Sequence, residues 1–339
     1  MKAAQLMRYA KDYQLDIRTV ATPHPTASQV LIKVKEAAVN PLDSLIGTGS
    51  LRLIQDYALP QTMGNELTGI IVEVGQNVTE FKLDDAVYAR LPITQIGAFA
   101  EYVVVDANAV ALLPKTLDFK TGAAAALTGL TAYQGLHEIL NAHAGQSLFI
   151  PGGSGSFGQM AIPIAKGMGL TVIVSGNAEA RERTLAAGAD RYFDFRTENY
   201  WEKLADIDFV IDTLGPGEFD HELAIMKQGG RLLSLRMGPN GDFAKTNQMP
   251  FWKKILFKAN GLKFDRQAKR HGVDYRFIFV RSDGAQLRRL SQLIDQRAIV
   301  PAVDATDFTL DQVNEAQKFL QIVIPKEKYL FILIKEIGQ

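Results

Sequence analysis

The sequence predicts an α/β protein with two domains, one rich in short strands and one built on a parallel sheet. Its 339 residues exceed what a single domain usually holds. Up to about residue 120, short strand patterns such as Val30–Lys35 and Leu67–Val74 alternate with Gly and Pro, as in a small barrel or sandwich. From Thr121 onward, strand and helix patterns alternate, which indicates a parallel sheet covered by helices on both faces.

The last part of the chain changes pattern again. Gln286–Arg297 has the spacing of an amphipathic helix, and Leu330–Ile334 is a hydrophobic strand. We expect this part to return to the first domain. The predicted β-rich domain then contains residues 1–123 and 286–339, and the predicted parallel-sheet domain contains residues 124–285.

Two patterns concern the later elements of the second domain. Leu223–Lys227 contains helix-forming residues and Gly229-Gly230 follow it, so we predict a helix that ends at this glycine pair. Tyr275–Val280 is the last strand pattern before residue 286. We therefore expect Tyr275–Val280 to be the final strand of the parallel sheet along the chain.

The composition excludes several classes of site. The chain contains no cysteine, which rules out disulfides and thiolate metal ligands. Its formal net charge is +0, so the charge of the whole chain gives no reason to expect a nucleic-acid or membrane partner. The chain shows no signal peptide and no run of about 18 apolar residues, so we expect a soluble cytoplasmic protein.

A glycine-rich segment lies between a predicted strand, Ser147–Ile150, and a predicted helix. It carries the pattern G-x-G-x-x-G over Gly153, Ser154, Gly155, Ser156, Phe157 and Gly158. The pattern also occurs in ordinary glycine-rich loops, but the strand before it and the helix after it favour a dinucleotide site. Such glycines allow a tight turn, close approach of a pyrophosphate and close packing of the helix on the strand. The N-terminus of the helix offers N–H groups to the phosphates.

The end of the second strand favours NADPH over NADH. Sites for NAD carry Asp or Glu about 20 residues after the turn, where the carboxylate holds the ribose 2′-hydroxyl. Here the position is Ser175-Gly176-Asn177, which contains no acid and would not repel a 2′-phosphate. Arg181 and Arg183 follow within two helical turns and are candidates to bind that phosphate; the alternative is that both are solvated helix residues.

Several segments together resemble one enzyme family over nearly the whole chain and in the same order. The matching segments are Ala37–Asp43, Met63–Gly69, Phe81–Tyr88, Gly97–Tyr102, Leu127–Tyr133, the glycine turn and Ala187–Asp190. The sequence thereby resembles the zinc-independent branch of the medium-chain dehydrogenase/reductase superfamily, the quinone oxidoreductase-like proteins. The metal-dependent relatives use Cys and His ligands, whereas Asn65 stands where the family has its His. We therefore expect no metal site.

The resemblance implies a fold, a reaction and an oligomer. The fold is a GroES-like catalytic domain with an inserted doubly wound Rossmann domain, and the active-site cleft would lie between them. The reaction is hydride transfer from NADPH to a quinone or an α,β-unsaturated carbonyl. Many relatives dimerise by pairing the edge strands of their Rossmann sheets, which makes Tyr275–Val280 the candidate edge of a homodimer.

The resemblance also assigns residues to the site. Asn40 matches a family Asn near the nicotinamide and the substrate, although a turn residue before Pro41 is an equal alternative. Relatives active on quinones or alkenals often carry Tyr and Arg where this chain has Leu45 and Gly47, and this departure weakens the match for quinones. Tyr57 is the candidate to replace the missing hydroxyl, as in the similar enoyl-thioester reductases. Further cofactor-binding candidates are Thr131, Phe195, Thr213, Arg236 and Lys328.

Two classes of function stay open at this point. The first is an NADPH-dependent reductase of quinones or enones, with enoyl-thioester reduction as a variant. The second is a non-catalytic NADPH-binding or sensor protein, which the loss of the expected Tyr at Leu45 favours. The segment Phe251–Arg270 is basic and partly amphipathic. We expect it to be a solvated helical face, with a lid or a membrane-surface role as the alternative.

Overall fold

The computed structural model describes residues 1–323 and 331–335 and shows two compact units. The first unit contains Met1–Leu130 and Arg281–Gln339, and the second contains Thr131–Val280. From the sequence we had expected the chain to cross between domains after residues 123 and 285. Among the described residues, no helix is both long and apolar enough to cross a membrane.

The strands of the described residues are numbered in chain order. They are β1 (Lys2–Leu6), β2 (Leu15–Thr19), β3 (Gln29–Val39), β4 (Gln61–Thr62), β5 (Glu66–Val74), β6 (Ala86–Arg90), β7 (Tyr102–Asp106), β8 (Val110–Leu112), β9 (Ser147–Ile150), β10 (Thr171–Gly176), β11 (Arg191–Asp194), β12 (Ile207–Asp212), β13 (Met226–Ser234), β14 (Asp274–Phe277), β15 (Val303–Thr309) and β16 (Phe331–Lys335). The helices are α1 (Pro41–Gly47), α2 (Phe119–Ala123), α3 (Ala126–Gln134), α4 (Ser156–Gly167), α5 (Arg181–Ala186), α6 (Phe219–Ala224), α7 (Gly241–Thr246), α8 (Phe251–Arg270), α9 (Gly284–Arg297) and α10 (Val313–Val323).

The first unit is organised around the long strand β3. One sheet has the order β15-β16-β3-β5-β6-β8, and β7 also pairs with β3; a second, small sheet has the order β2-β1-β4. The pairing of β3 with β5 is antiparallel and places Ala37 opposite Leu67. The end of β3 therefore lies beside the start of β5, which brings the residues that follow Val39 close to Glu66.

The core of the first unit is apolar and closely follows the strand pattern. Ile32, Leu67 and Val87 come from three neighbouring strands and are fully buried. In β7, buried residues alternate with partly exposed ones, as expected for a strand that covers a core with one face only. Burial of these side chains stabilises the sheet on which the candidate site residues are carried.

The second unit contains a parallel sheet with the order β11-β10-β9-β12-β13-β14. All its strand pairs are parallel, and every residue of β12 is buried, as expected for a sheet covered on both faces. The chain runs from β9 to β10 on one side, whereas β12 lies on the other side of β9. This reversal is a topological switch point, and doubly wound folds bind ligands at the carboxyl ends of the strands there.

Two expectations about later strands have different outcomes. The strand expected at Tyr275–Val280 is β14, Asp274–Phe277, and it lies at the edge of the parallel sheet. The prediction of a helix that ends at Gly229-Gly230 is wrong, because α6 ends at Ala224 and β13 runs through both glycines. Gly229 has φ +78°, and the pairing of β12 with β13 shifts register nearby, so these glycines serve an irregularity in the strand.

Candidate functional site

The glycine turn connects β9 to α4 with almost no space between backbone segments. A Cβ atom on Gly158 would lie 1.7 Å from the carbonyl oxygen of Gly153, so no side chain fits at this position. Gly152 has φ +64°, a conformation that glycine adopts without strain. At the last glycine of the pattern, where we predicted close packing of the helix on the strand, the backbone of α4 therefore closely approaches the backbone of the turn at Gly153.

The N-terminus of α4 follows directly from the glycine turn, which is the position of an anion-binding helix terminus. Gly155 is the residue before the helix, and Ser156 and Phe157 are its first residues. The N–H groups of a first helical turn have no partner within the helix, and the helix dipole makes them favourable for phosphate. Ser154 is 3% exposed, and its carbonyl accepts a hydrogen bond of 3.0 Å from Arg183 Nη2.

The end of β10 packs directly against the glycine turn. Ser175 Oγ accepts a hydrogen bond of 3.2 Å from the N–H of Gly152. A Cβ on Gly176 would lie 2.3 Å from both Ser154 Oγ and the Tyr192 hydroxyl, so a side chain is excluded here too. The three residues Ser175–Asn177 thus form one wall of the turn and bring no carboxylate to it.

Asn177 has a structural task that the sequence did not reveal. Its Oδ1 accepts a hydrogen bond of 3.0 Å from the N–H of Ala180 and so caps the helical segment that leads into α5. Its carbonyl accepts 2.6 Å from the hydroxyl of Tyr192, a residue that sequence reasoning missed because it lies on the neighbouring strand β11. Strand pairing, rather than a motif, was the information needed to find Tyr192.

The two arginines predicted to bind a 2′-phosphate, Arg181 and Arg183, make different contacts in the structure. Arg183 donates to the turn itself, whereas Arg181 is half exposed and its Nη1 lies 3.8 Å from Glu198 Oε2. The only acid of β11, Asp194, pairs in register with Gly176. The Asp194 carboxylate accepts the N–H of Arg196 at 3.1 Å and thereby holds its own turn.

The structure also brings other predicted residues to this end of the sheet. Thr213, directly after β12, donates its hydroxyl to the carbonyl of Pro151 at 2.6 Å. The N–H of Phe195 donates to the carbonyl of Gly176 at 3.1 Å, and its ring is 49% exposed. Arg236 is exposed just after β13. A Cβ atom on Gly215 would lie 3.3 Å from the Cβ of Arg236.

The positions of two further predicted cofactor residues, Thr131 and Lys328, stay predictions. Thr131 is partly buried on α3. Lys328 lies outside the described residues. The second unit therefore assembles the turn, the end of β10, Phe195 and Thr213 at the carboxyl edge of one sheet.

A second polar cluster lies in the first unit, where β3 ends beside the start of β5. Asn40 Nδ2 donates to Glu66 Oε1 at 2.8 Å, and the N–H of Leu127 donates to Glu66 Oε2 at 2.6 Å. Asp43 accepts from the N–H of Asn40 and from Asn65 Nδ2, both at 2.7 Å. All four side chains are buried, so we define Asn40, Asp43, Asn65 and Glu66 as the carboxylate cluster.

Burial sets the protonation of the carboxylate cluster. Removal from solvent raises the pKa of Asp43 to about 7 and the pKa of Glu66 to about 8, even though N–H donors to each oxygen oppose the shift. Arg90 is also fully buried, and desolvation lowers the pKa of its guanidinium to about 10. Asn65, the residue that led us to expect no metal site, donates its amide to the carboxyl group of Asp43 in this cluster.

The two predicted catalytic residues, Asn40 and Tyr57, both make hydrogen bonds inside the first unit. Asn40 Nδ2 donates to Glu66 and, at 3.2 Å, to the carbonyl of Ala38. The hydroxyl of Tyr57 donates to the carbonyl of Ile93 at 2.7 Å, and the residue is 8% exposed. Desolvation raises the pKa of Tyr57, so its hydroxyl stays protonated at neutral pH.

A tyrosine that the sequence analysis missed lies beside α1. A Cβ on Gly47 would lie 2.3 Å from the ring of Tyr13, so this ring fills the space next to the glycine that replaces the family's Arg. The Tyr13 hydroxyl is buried near Ser44 and Asp43, and burial raises its pKa to about 12. Tyr13 thus supplies a phenol beside Ser44, the residue before Leu45, and Leu45 is itself 46% exposed.

The described residues contain no group of three or more His, Cys, Asp or Glu side chains arranged to hold a metal ion. Two family models match the chain: the alcohol dehydrogenase GroES-like domain over residues 26–115, and the zinc-binding dehydrogenase over residues 187–321.

Comparison with characterised proteins decides the family. The human quinone oxidoreductase is 32% identical over 263 residues, which cover 74% of this chain and 79% of that protein. The chain belongs to the quinone oxidoreductase-like family. It is therefore an oxidoreductase of the medium-chain dehydrogenase/reductase type, as the sequence resemblance predicted.

This chain is also similar to a plant reductase and to a bacterial enzyme of known structure. The tomato 2-methylene-furan-3-one reductase is 29% identical over 313 residues, covering 89% of this chain and 71% of that protein. The Escherichia coli quinone oxidoreductase, solved in complex with NADPH, superposes with a TM-score of 0.76 at 20% identity, covering 99% of this chain and 100% of that one. These matches confirm the predicted combination of a GroES-like domain and a Rossmann domain with a parallel sheet.

Proposed function

We propose that this family member transfers a hydride from NADPH to a quinone or an α,β-unsaturated carbonyl compound. The observation that carries the proposal is the glycine turn packed against an end of β10 that contains no acid. A phosphate group can approach the backbone of this turn because Gly158 leaves no room for a side chain beside the Gly153 carbonyl, and Gly176 leaves none beside Ser154 and Tyr192. When bound, the nicotinamide supplies the hydride, and the protein supplies placement and electrostatics.

The residues of the second unit account for the binding of the nucleotide. The first-turn N–H groups of α4 bind the pyrophosphate, and Gly158 lets α4 approach β9 closely enough to present them. Thr213 holds the turn from β12 through its hydrogen bond to Pro151. Phe195 offers an exposed ring beside the end of β10, where an adenine would pack.

The preference for NADPH rests on the charges around Asn177. A carboxylate there would repel a 2′-phosphate, and Ser175–Asn177 has none. Arg181 is half exposed and only loosely paired with Glu198, so its guanidinium is available to a phosphate. Asp194 is the nearest acid along the sheet, but its carboxylate is engaged by the N–H of Arg196.

The proposed acceptors follow from the relatives and from the need for a proton. The tomato relative is named as a reductase of a furanone with an exocyclic double bond, and the human one as a quinone oxidoreductase. Hydride addition to either kind of acceptor leaves an enolate or a hydroquinone anion that must gain a proton. Tyr57 and Tyr13 are the candidate phenols for that proton in the first unit, and Asn40 is a candidate donor to the carbonyl oxygen.

A spectrophotometric assay tests the reaction. Loss of NADPH absorbance is followed with a panel of quinones, enones and crotonyl thioesters, and NADPH and NADH affinities are compared by nucleotide fluorescence. We expect turnover with at least one quinone or enone and tighter binding of NADPH. Turnover of crotonyl thioesters alone would favour an enoyl-thioester reductase, and binding without turnover on any substrate would favour a sensor.

Phenylalanine variants separate the two phenols. Tyr13→Phe and Tyr57→Phe each remove one hydroxyl and keep the ring, so the packing of the first unit is retained. The variant that lacks the proton donor should lose about tenfold or more in kcat with little change in NADPH affinity. If both variants keep full activity, neither tyrosine donates the proton and water or Asn40 takes that role.

We also propose a homodimer in which two β14 strands pair at the edges of their sheets. β14 pairs only with β13 in the described structure, so its other edge is available for hydrogen bonding to another strand. We expect the parent protein to have the mass of a dimer in light scattering. A monomeric mass of the parent protein in light scattering would contradict the proposal.

A further inference from the structure

Helix α8 carries a group of exposed apolar side chains at its first turns. Phe251, Trp252, Ile255 and Leu256 are 78%, 58%, 56% and 42% exposed. In the described part of the chain, no other stretch of six residues contains more than one exposed large apolar side chain. Four neighbouring apolar side chains in contact with water indicate a surface that another apolar phase covers.

The opposite side of α8 explains why this face points outward. Phe257, Gly261 and Ala268 are buried, and a Cβ on Gly261 would lie 2.4 Å from the Cβ of Asn240. Phe257 packs edge-on against Phe243 of α7 at 6.1 Å between ring centroids. At 3.6 residues per turn, these anchors lie on the side of α8 opposite Ile255, so the helix is held with its apolar residues outward.

The exposed face continues as a basic one. Further along the same helix, Lys263, Arg266, Lys269 and Arg270 are exposed. The whole helix carries Lys or Arg at seven positions and acid only at Asp265, although the formal net charge of the chain is +0. We define the exposed residues of α8, apolar from 251 to 256 and basic from 263 to 270, as the α8 surface.

We propose that the α8 surface binds an anionic lipid bilayer, with the apolar residues in the interface and the basic residues on the headgroups. Trp and Phe side chains favour the boundary between headgroups and acyl chains. Each Lys or Arg near an anionic leaflet adds attraction that salt screens. This proposal departs from the expectation of no membrane partner, because net charge averaged over the chain hides the concentration of charge on one helix.

Charge also argues against the other occupants of this surface. A twofold dimer through residues 251–256 would bury the apolar side chains, but it would leave the basic residues 263–270 without acidic partners on α8, whose only acid is Asp265. Nucleic acid would pair with the lysines and arginines but would leave Ile255 and Leu256 without a suitable partner. An anionic bilayer satisfies both halves of the surface at once, and the proposal is independent of the reaction that the protein catalyses.

Vesicle sedimentation tests the proposal. The purified protein is mixed with vesicles of phosphatidylcholine alone or with about one third phosphatidylglycerol, and we expect about tenfold tighter binding to the anionic vesicles at low salt. The quadruple variant Phe251→Ser, Trp252→Ser, Ile255→Ser, Leu256→Ser should lose this binding. A matched variant, Leu83→Ser with Leu185→Ser, removes exposed apolar residues elsewhere and should bind like the parent.

Trp252 offers a direct optical reading of insertion. The chain has two tryptophans, and Trp201 stacks on His221 at 3.7 Å, so Trp201→Phe leaves Trp252 as the only indole. Its emission should shift to shorter wavelength with anionic vesicles, and brominated lipids should quench it. Lys263→Glu with Arg266→Glu should abolish the shift while nucleotide binding is kept.

Three results would overturn the proposal. The first is no sedimentation with anionic vesicles together with unchanged Trp252 emission. The second is equal binding to both kinds of vesicle, which would remove the role of the basic residues. The third is a dimer by light scattering that the quadruple variant converts to monomer, since a second copy would then cover the surface.

Discussion

The glycine turn of the second unit and the carboxylate cluster of the first unit are built in opposite ways. The turn uses six consecutive residues, Gly153–Gly158, whose backbone geometry defines the site. The carboxylate cluster joins the start of α1 to the start of β5 and receives an N–H from Leu127, which lies 61 positions from Glu66. The first is a local device, whereas the second exists only when β3 and β5 are paired.

This difference teaches which properties a motif can carry. In the turn, the absence of side chains matters, and absence is visible in a sequence as glycine. In the carboxylate cluster, the unusual pKa values of Asp43 and Glu66 come from burial, and burial depends on the whole first unit. Substitutions should therefore affect ligand binding in the second unit and folding in the first.

The largest effect is expected in the turn. Gly158→Ala places a Cβ where the Gly153 carbonyl oxygen lies, so the backbone must move and the first turn of α4 loses its alignment. We expect NADPH affinity to fall by about a hundredfold, or about 3 kcal/mol, in a fluorescence titration. Gly217→Ala, where nothing lies within 4 Å of the new Cβ, is the control. Equal affinity of the two variants would show that the turn does not hold the nucleotide.

The next effect tests the carboxylate cluster. Asp43→Ala leaves the N–H of Asn40 and the amide of Asn65 buried without their acceptor, which should lower the free energy of unfolding by about 2 kcal/mol or more. Asp56→Ala removes an exposed partner of Arg52 and should lower the free energy of unfolding much less than Asp43→Ala does. Urea denaturation measures both. Similar losses would mean that burial does not distinguish the two aspartates.

A third substitution adds one charge to the turn without changing its shape. Asn177→Asp keeps an oxygen that caps Ala180, but it introduces the carboxylate that NADP sites lack. We expect NADPH affinity to fall by about tenfold and NADH affinity to stay equal or rise, which corresponds to about 1.4 kcal/mol of discrimination. Parallel losses for both nucleotides would place the adenosine ribose elsewhere.

The last effect is a slope of stability with pH, and over a single pH unit it is no larger than the effect of Asn177→Asp. Because folding raises the pKa of Glu66 from its ordinary value near 4.5 to about 8, the folded state holds a proton that the unfolded state releases. The contribution of Glu66 to stability is complete below about pH 4.5 and declines as pH rises to about 8, by at most about 1.4 kcal/mol per pH unit. Glu66→Gln should make the measured decline shallower.

Comparison of the parent protein with Glu66→Gln separates the pH dependence due to Glu66 from that due to Asp43. Asp43 also has a raised pKa, about 7, and its own decline remains in Glu66→Gln. The difference between the two stability curves should therefore grow steadily between about pH 4.5 and 8. Curves that stay parallel over this range would show that Glu66 is ionised in the folded protein at neutral pH.

Much of the fold and of the turn could be predicted from the sequence. Alternating strand and helix patterns indicate a parallel sheet because burial on both faces demands apolar strands, as β12 shows. The Gly153–Gly158 pattern and the acid-free end of β10 were also visible. Gly229-Gly230 was misjudged as a helix end, because a glycine pair terminates a helix or serves an irregular strand, and only pairing with β12 decides between them.

Other residues became visible only through contacts between distant parts of the chain. The ring of Tyr13 fills the space beside Gly47, and the hydroxyl of Tyr192 supports Asn177 from the next strand. The outward direction of Phe251, Trp252 and Ile255 depends on which side of α8 packs against α7. None of these pairs has a fixed spacing that could be recognised in the sequence.

The sequence by itself determined the family, the two kinds of domain and the glycine turn that we propose for a nucleotide phosphate, because each depends on local backbone geometry or on ordered motifs. The tertiary structure decided the protonation of Asp43 and Glu66 and the exposure of the apolar end of α8. The physical reason is the same in both cases. Desolvation and exposure depend on every neighbour of a side chain, and most of those neighbours are far away along the chain.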